Sequence, residues 1–252
     1  MNNYLNFIDD EYLLTCISNL HKSYIKAKNK ITKIKFYDNK IDTVKLTFDS
    51  CFNNISDLEL IDLEVLRQID KSINNAIGTF HEEVLGGIRG YSHGNKSGYD
   101  IKSNNNTLFA DLKNKHNTMN SSASEALYQK LIRYANDYPN SKCYWVQILA
   151  KGSFDKQWVA SFGGRVYNHE RVRKISGDQF YALLSGESDA FFKLYKVLPL
   201  AISDYLKAEH QGAVKDNSAF VEIKEGARTS ERNILDEITY ENFKYYLGFE
   251  SL

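Results

Sequence analysis

Residues 142–150, Lys-Cys-Tyr-Trp-Val-Gln-Ile-Leu-Ala, constrain the fold of this chain more than any other stretch. The run is rich in β-formers and nearly continuously apolar, the pattern of a strand buried on both faces. A sheet built around it needs cover on each side, and helical patterns are available to supply it. Residues 9–29 set Leu13, Ile17, Leu20 and Tyr24 at helical spacing, with lysines on the opposite face. Residues 56–85 set Leu60, Leu63, Leu66, Ile69, Ile73, Ile77 and Phe80 three or four apart behind Ser56 as a cap. Residues 41–52 fit a helix through Val44, Phe48 and Cys51, although Val44, Leu46 and Phe48 also alternate.

The remaining segments complete a mixed order. A Gly-rich polar loop at 90–98 leads to two short strands, 99–101 and 107–113, joined by a polar turn. Ser122 and Glu125 form a capping box for a helix carrying Leu127 and Leu131. Residues 158–162 read as a strand, 178–184 and 190–206 as helices with Pro199 at a kink or boundary. Near the end, 220–223 reads as a strand and 239–247 as a helix. The expected fold is α/β, a mixed central sheet flanked by helices, plus an N-terminal helical elaboration.

Charge is distributed unevenly along a chain whose formal net charge is zero. Between Gly86 and Lys174 there are 14 Lys or Arg against six acids, a net +8, and eight lysines lie between Lys22 and Lys45. Such asymmetry suits a groove that tracks phosphates; a solvated surface is the other reading. Cys16, Cys51 and Cys143 are odd in number and far apart, which fits buried thiols in a reducing cytoplasm better than a disulfide framework or a zinc site. The N-terminus has no charged region followed by an apolar one, and no apolar run reaches membrane-spanning length, so a cytoplasmic protein with no membrane partner is expected.

Within the basic segment, Asp100 is followed by Asp111-Leu112-Lys113. Carboxylates are hard oxygen donors that suit Mg²⁺, and the turn between the two strands can fold Asp100 back beside Asp111. The two-residue step from Asp111 to Lys113 puts both side chains on one face of a strand. There the lysine can orient or deprotonate a water, or stabilise a crowded anionic phosphorus centre. Spacing alone is a weak pattern, and a salt-bridged Asp-x-Lys on an edge hairpin is the bland alternative. The surrounding order of helix, strand, strand, helix, strand is that of the PD-(D/E)xK nuclease core.

Two stretches carry a closer likeness: residues 67–81, Arg-Gln-Ile-Asp-Lys-Ser-Ile-Asn-Asn-Ala-Ile-Gly-Thr-Phe-His, and residues 109–118, Phe-Ala-Asp-Leu-Lys-Asn-Lys-His-Asn-Thr. Together they resemble the type II restriction endonucleases that recognise GGNCC, and the similarity extends more loosely from about residue 10 to Leu206. The resemblance implies a homodimeric, Mg²⁺-dependent enzyme that cuts double-stranded DNA within a short palindrome. It implies Asp100, Asp111 and Lys113 as the matching catalytic positions, with Asp100 and Asp111 as metal ligands. A cognate DNA methyltransferase belongs to such a system, without forming a stable complex. Two other readings use the same core: a repair or structure-selective nuclease, and a non-catalytic DNA-binding module that keeps the fold.

In many nucleases of this superfamily a glutamate from the preceding helix joins the metal site. Glu82 and Glu83 both lie near that helix's end; adjacent helical residues point about 100° apart, so at most one faces the site, and Glu82 is chosen. His81 beside Phe80 is read as a packed or surface residue before a phosphate contact. Lys115, His116, Asn117 and Thr118 offer donors for phosphates or base edges just past the metal site. Arg165, His169, Arg171 and Arg173 form a second DNA-contact candidate, since arginine pairs in bidentate fashion with guanine N7 and O6; a turn with solvated arginines is the alternative. Trp145 and Trp158 are core residues first.

The chain is long enough, at 252 residues and 42% hydrophobic, to bury a sizeable core, and is read as a single elaborated nuclease domain. Its parts are an N-terminal helical and basic region (1–55), the catalytic core (56–206) and a C-terminal extension (207–252).

Overall fold

The computed structural model describes residues 3–29, 31–94, 98–209 and 218–243. These pack as two compact units, one drawn from Met1–Leu20 and Ala76–Gln211, the other from His21–Asn75 and Gly212–Leu252. The division falls inside two continuous helices, α1 (Asp10–Asn29) and α4 (Asp57–Gly86).

In the first unit lies a six-stranded sheet in the order β1-β2-β3-β4-β6-β5. Its strands are β1 (Tyr91–His93), β2 (Ile101–Ser103), β3 (Leu108–Lys115), β4 (Lys142–Leu149), β5 (Asp155–Phe162) and β6 (Arg165–Ser176). β3, β4 and β6 run parallel, while β1, β2 and β5 pair antiparallel with their neighbours, so the sheet is mixed as expected. Strand β4 occupies the interior and splits its apolar side chains between two cores. Cys143 and Trp145 pack with Leu127, Tyr128 and Leu131 of α5 (Ser121–Asp137), together with Trp158 and Val172. Tyr144, Val146 and Ile148 pack on the other side with Leu13 and Ile17 of α1 and Phe80, Val84 and Leu85 of α4. Phe180 and Tyr181 of α6 (Gly177–Ser185) and Leu194 and Ala201 of α7 (Ala190–Glu209) complete that second core. Alternate residues therefore serve opposite faces, which is why the sequence run is continuously apolar.

The second unit is helical. Phe36 of α2 (Lys33–Asp38), Leu46 of α3 (Thr43–Asn53), Leu60, Ile61 and Val65 of α4, Ile223 of α8 (Ser218–Thr229) and Ile238 of α9 (Ile234–Phe243) form its core. Glu237 is buried there and ion-paired to Lys33 and Arg232, with the Ser230 hydroxyl as a further donor. Burying a carboxylate is tolerable only with such partners.

Several local expectations change. Residues 220–223 belong to helix α8: Ile223 and Ala227 are buried four apart while Val221 is exposed, a helical period that a four-residue window does not display. The final helix α9 starts earlier than expected, at Ile234, and 244–247 lie outside the described residues. Inside the expected loop at 90–98, Tyr91–His93 pairs with β2 as β1. Strand β6 was not anticipated, because its charged first half has no apolar run; pairing on both edges makes it a strand. Gly163 and Gly164, both at positive φ, close the β5–β6 hairpin in the left-handed conformation such two-residue turns demand. Asn120, not Ser122, caps α5, accepting from the Ala123 N–H at 2.8 Å. Helix α7 continues through Pro199. Cys16 and Cys143 are buried, but Cys51 is exposed.

Candidate active site

The site forms where β2, β3, α4 and α5 meet in the first unit. Asp100 immediately precedes β2 and is tied to β3 twice. Its N–H donates to the Ala110 carbonyl at 2.9 Å, and its Oδ2 accepts from the Leu112 N–H at 2.6 Å. The antiparallel turn at 104–107 brings this about, since Ile101 stands opposite Ala110 in the register. Leu112 thus turns its side chain to the core and offers its amide to a carboxylate.

Asp111 and Lys113 share a face of β3, next to Trp145 and Gln147 of the parallel strand β4. Asp111 is only 5% exposed, and its Oδ1 is held by the Lys113 ammonium. Lys113 also donates to the Leu112 carbonyl at 3.1 Å. The other oxygen of Asp111, Oδ2, is held by Lys130 of α5 at 2.6 Å. In the sequence Lys130 counts only as one more basic side chain, and the fold brings it onto Asp111. The available signal was its position three residues after Leu127 and just before Leu131, a lysine interrupting an apolar stripe.

Electrostatics link the acids. Burial raises the Asp100 carboxyl above its ordinary value and the charge of Asp111 raises it further, against the Leu112 N–H, Lys113 and Lys130. Burial also pushes Glu82 up, to about 7, with Asp100, Asp111 and Glu83 adding to the shift and Lys113 opposing it. Glu82 therefore feels the same carboxylates, whereas Glu83 accepts from the Asn19 amide of α1 at 3.2 Å. Three carboxyl groups stand in mutual repulsion, offset by two ammonium groups. Among the described residues, no group of three or more His, Cys, Asp or Glu side chains is gathered closely enough to hold a metal ion. The donor set nonetheless suits a hard divalent cation, being all oxygen and carrying one more acid than it has ammonium groups.

The other candidates fall in different surroundings. His81 donates to or accepts from the Tyr181 hydroxyl at 2.9 Å, and burial lowers its pKa to about 4, so it is a packed residue. Lys115, Asn117 and Thr118 are exposed beyond Lys113; the His116 N–H donates to the Leu149 carbonyl at 3.2 Å, and the Thr118 hydroxyl donates to the Lys115 carbonyl at 3.0 Å. Arg165 is exposed at the start of β6. The Arg171 guanidinium donates to the Ala135, Tyr138 and Pro139 carbonyls at the end of α5, and Arg173 pairs with Asp155 at 2.8 Å. His169 receives the Arg171 N–H at Nδ1 and donates its own N–H to the Tyr128 hydroxyl. Trp145 and Trp158 are buried, their rings 4.5 Å apart.

Comparison with known proteins gives the following similarities. The model of the Eco47II restriction endonuclease family matches residues 5–207. The type II restriction enzyme Sau96I of Staphylococcus aureus is 38% identical over 259 residues, covering 98% of this chain and 99% of the relative. The type II restriction enzyme Eco47II of Escherichia coli is 27% identical over 231 residues, covering 86% and 95%.

Proposed function

Because the chain belongs to the Eco47II restriction endonuclease family, and is thereby a type II restriction endonuclease acting on double-stranded DNA, we propose that it cuts a short GGNCC-like palindrome through Asp100, Asp111, Lys113 and Glu82. The observation that carries this reading is the buried Asp111 carboxylate paired to Lys113, with Asp100 fixed across the ladder by the Leu112 N–H. The family relationship favours it over a repair nuclease or a non-catalytic binding module.

Mg²⁺ is the proposed cofactor, with Asp100 and Asp111 as its carboxylate donors and Glu82 as a further acid beside them. Bound there, such an ion supplies charge neutralisation at the phosphate and an acidified water. The residues divide the remaining work. Asp111 keeps the Lys113 ammonium on the strand face where a phosphate oxygen would lie, and Lys113 orients the attacking water or stabilises the anionic transition state. The Leu112 amide holds Asp100 in place, so its carboxylate need not be ordered at the moment of reaction. Glu82, titrating near neutrality, is able to hold or release a proton beside the water.

Lys115, His116, Asn117 and Thr118 follow the site on an exposed, donor-rich segment and are proposed to contact phosphates or base edges, as is the exposed Arg165. His169, Arg171 and Arg173 are kept as weaker candidates, since each already has protein partners. A palindromic site makes a two-fold homodimer the economical assembly. A methyltransferase that protects host DNA, and a cytoplasmic location, complete the proposal. Among the described residues no helix is long and apolar enough to cross a membrane.

Plasmid DNA incubated with the purified protein and Mg²⁺ should yield discrete fragments whose sequenced ends share one short palindrome. Lys113→Ala should stop cleavage while DNA binding persists. Smeared or branch-dependent products, or no cleavage with any divalent ion tried, would sink the reading.

A further inference from the structure

Lys130 sits on the side of α5 that packs against the sheet, next to the buried Leu131. Its ammonium lies 2.6 Å from Oδ2 of Asp111, while Lys113 takes Oδ1. Both oxygens of one buried carboxylate are thus held by ammonium groups that arrive from different elements, β3 and α5. Lys113 alone is enough to neutralise Asp111. The second cation makes sense through Asp100, whose carboxyl feels Asp111, Lys113 and Lys130 together. Asp100 and Asp111 are thereby matched by two ammonium groups, with Glu82 as the third acid beside them.

We propose that Lys130 is a built-in counter-cation: it holds Oδ2 of Asp111 while the site is metal-free and yields that oxygen when a divalent cation binds. The inference rests on reading Asp100 and Asp111 as metal ligands. An ammonium and a divalent ion on the same oxygen repel each other, so binding through Oδ2 requires the Lys130 side chain to swing away. A lysine suits this exchange, because a compact charge on a flexible four-carbon stem is released without moving the helix that bears it. Lys130 therefore stabilises the metal-free protein and lowers its affinity for metal.

The test is Mn²⁺ binding to the DNA-free protein, followed by electron paramagnetic resonance of the free ion. Losing a charge-assisted hydrogen bond that competes with the ion should let Lys130→Met bind Mn²⁺ roughly 10- to 100-fold more tightly than the wild type. The same variant should melt below the wild type in EDTA, and the gap should narrow as Mn²⁺ is added. Should Lys130→Met fail to fold, Lys130→Gln keeps a donor to Oδ2 without the charge and is expected to bind Mn²⁺ more tightly too. Unchanged or weaker Mn²⁺ binding in the folded variant overturns the proposal, and a melting loss equal in EDTA and Mn²⁺ assigns Lys130 a purely structural role. Asp111→Asn separates the two levels. If it binds Mn²⁺ as the wild type does, the ligand reading itself fails; if it loses Mn²⁺ while Lys130→Met is unchanged, only the counter-cation is refuted.

Discussion

The Oδ2 atom of Asp100 accepts a hydrogen bond from the backbone N–H of Leu112, 2.6 Å away, so the peptide that joins Asp111 to Leu112 holds a third candidate site residue in place. The bond is charge-assisted and half-buried, and it couples β3 to the start of β2 through a backbone group that only proline at position 112 would remove. Asp100→Asn retains a carbonyl oxygen for the Leu112 N–H, and Asp100→Ala does not. Both variants should lose cleavage. Urea unfolding should show Asp100→Ala less stable than Asp100→Asn by about 1–3 kcal/mol, the cost of leaving a buried donor unpaired. Equal stabilities would mean that the bond contributes nothing to folding.

Glu82 supplies a pH dependence of known sign. Its carboxyl is raised from 4.5 to about 7, first by burial and then by Asp100 and Asp111. The unfolded chain ionises this group above 4.5 and the folded, metal-free chain only above about 7, so stability is lost as pH rises through that window and stays low beyond it. Glu82→Gln cannot ionise. It should therefore stabilise the metal-free protein at pH 8 by ~1–3 kcal/mol, allowing for partial exposure, and have little effect at pH 5. Melting in EDTA across that range is the measurement, and a pH-independent difference would contradict it.

His81 acts in the opposite direction. Burial among Phe80, Tyr181 and Phe191 lowers it from 6.5 to about 4. The unfolded state takes up a proton below 6.5 that the folded state refuses until about 4, so stability falls as pH drops through this window. The full loss is on the order of 3 kcal/mol. His81→Gln, which keeps an acceptor for the Tyr181 hydroxyl, should flatten this part of the stability profile without changing the pH dependence attributed to Glu82.

Gly177 starts α6 against the backbone of β4. An added Cβ would lie 2.6 Å from the Ile148 carbonyl oxygen and 2.9 Å from its Cα, closer than packed atoms approach. Because the obstacle is backbone at the sheet centre, the helix would have to move. Gly177→Ala should cost about 1–3 kcal/mol in urea unfolding. Gly152, with nothing near its Cβ position, is the control, and its alanine variant should be close to neutral.

The elements most legible in the sequence were those with long or unambiguous periods. Strand β4, helix α4 and the pair β2–β3 appear near their expected positions, because each buries a face that repeats often enough to be seen. Strand β6 is not legible in the sequence, since Arg165, Glu170, Arg171 and Arg173 obscure any apolar alternation and its pairing partners, β4 and β5, are what hold it extended. Helix α8 replaces the strand expected at 220–223 because Ile223 owes its burial to α9 and α2 rather than to its neighbours in sequence. The boundary between the two units left no linker to read, because it passes through the interiors of α1 and α4.

For the site, sequence by itself determined the chemistry on offer: Asp111 and Lys113 two apart on a strand, and Asp100 one turn upstream. Local geometry is sufficient for that, since strand alternation and a short turn are properties of neighbouring residues. Tertiary structure decided the rest. It set Glu82 where Asp100 and Asp111 raise its carboxyl and Glu83 where it accepts from Asn19, because the rotation of a helix about its axis is set by what it packs against. It gave Arg171 to the end of α5, and it brought Lys130 to Asp111 across 19 positions of chain. Charges attract wherever they meet, and only the packing of α5 on the sheet determines that these two do.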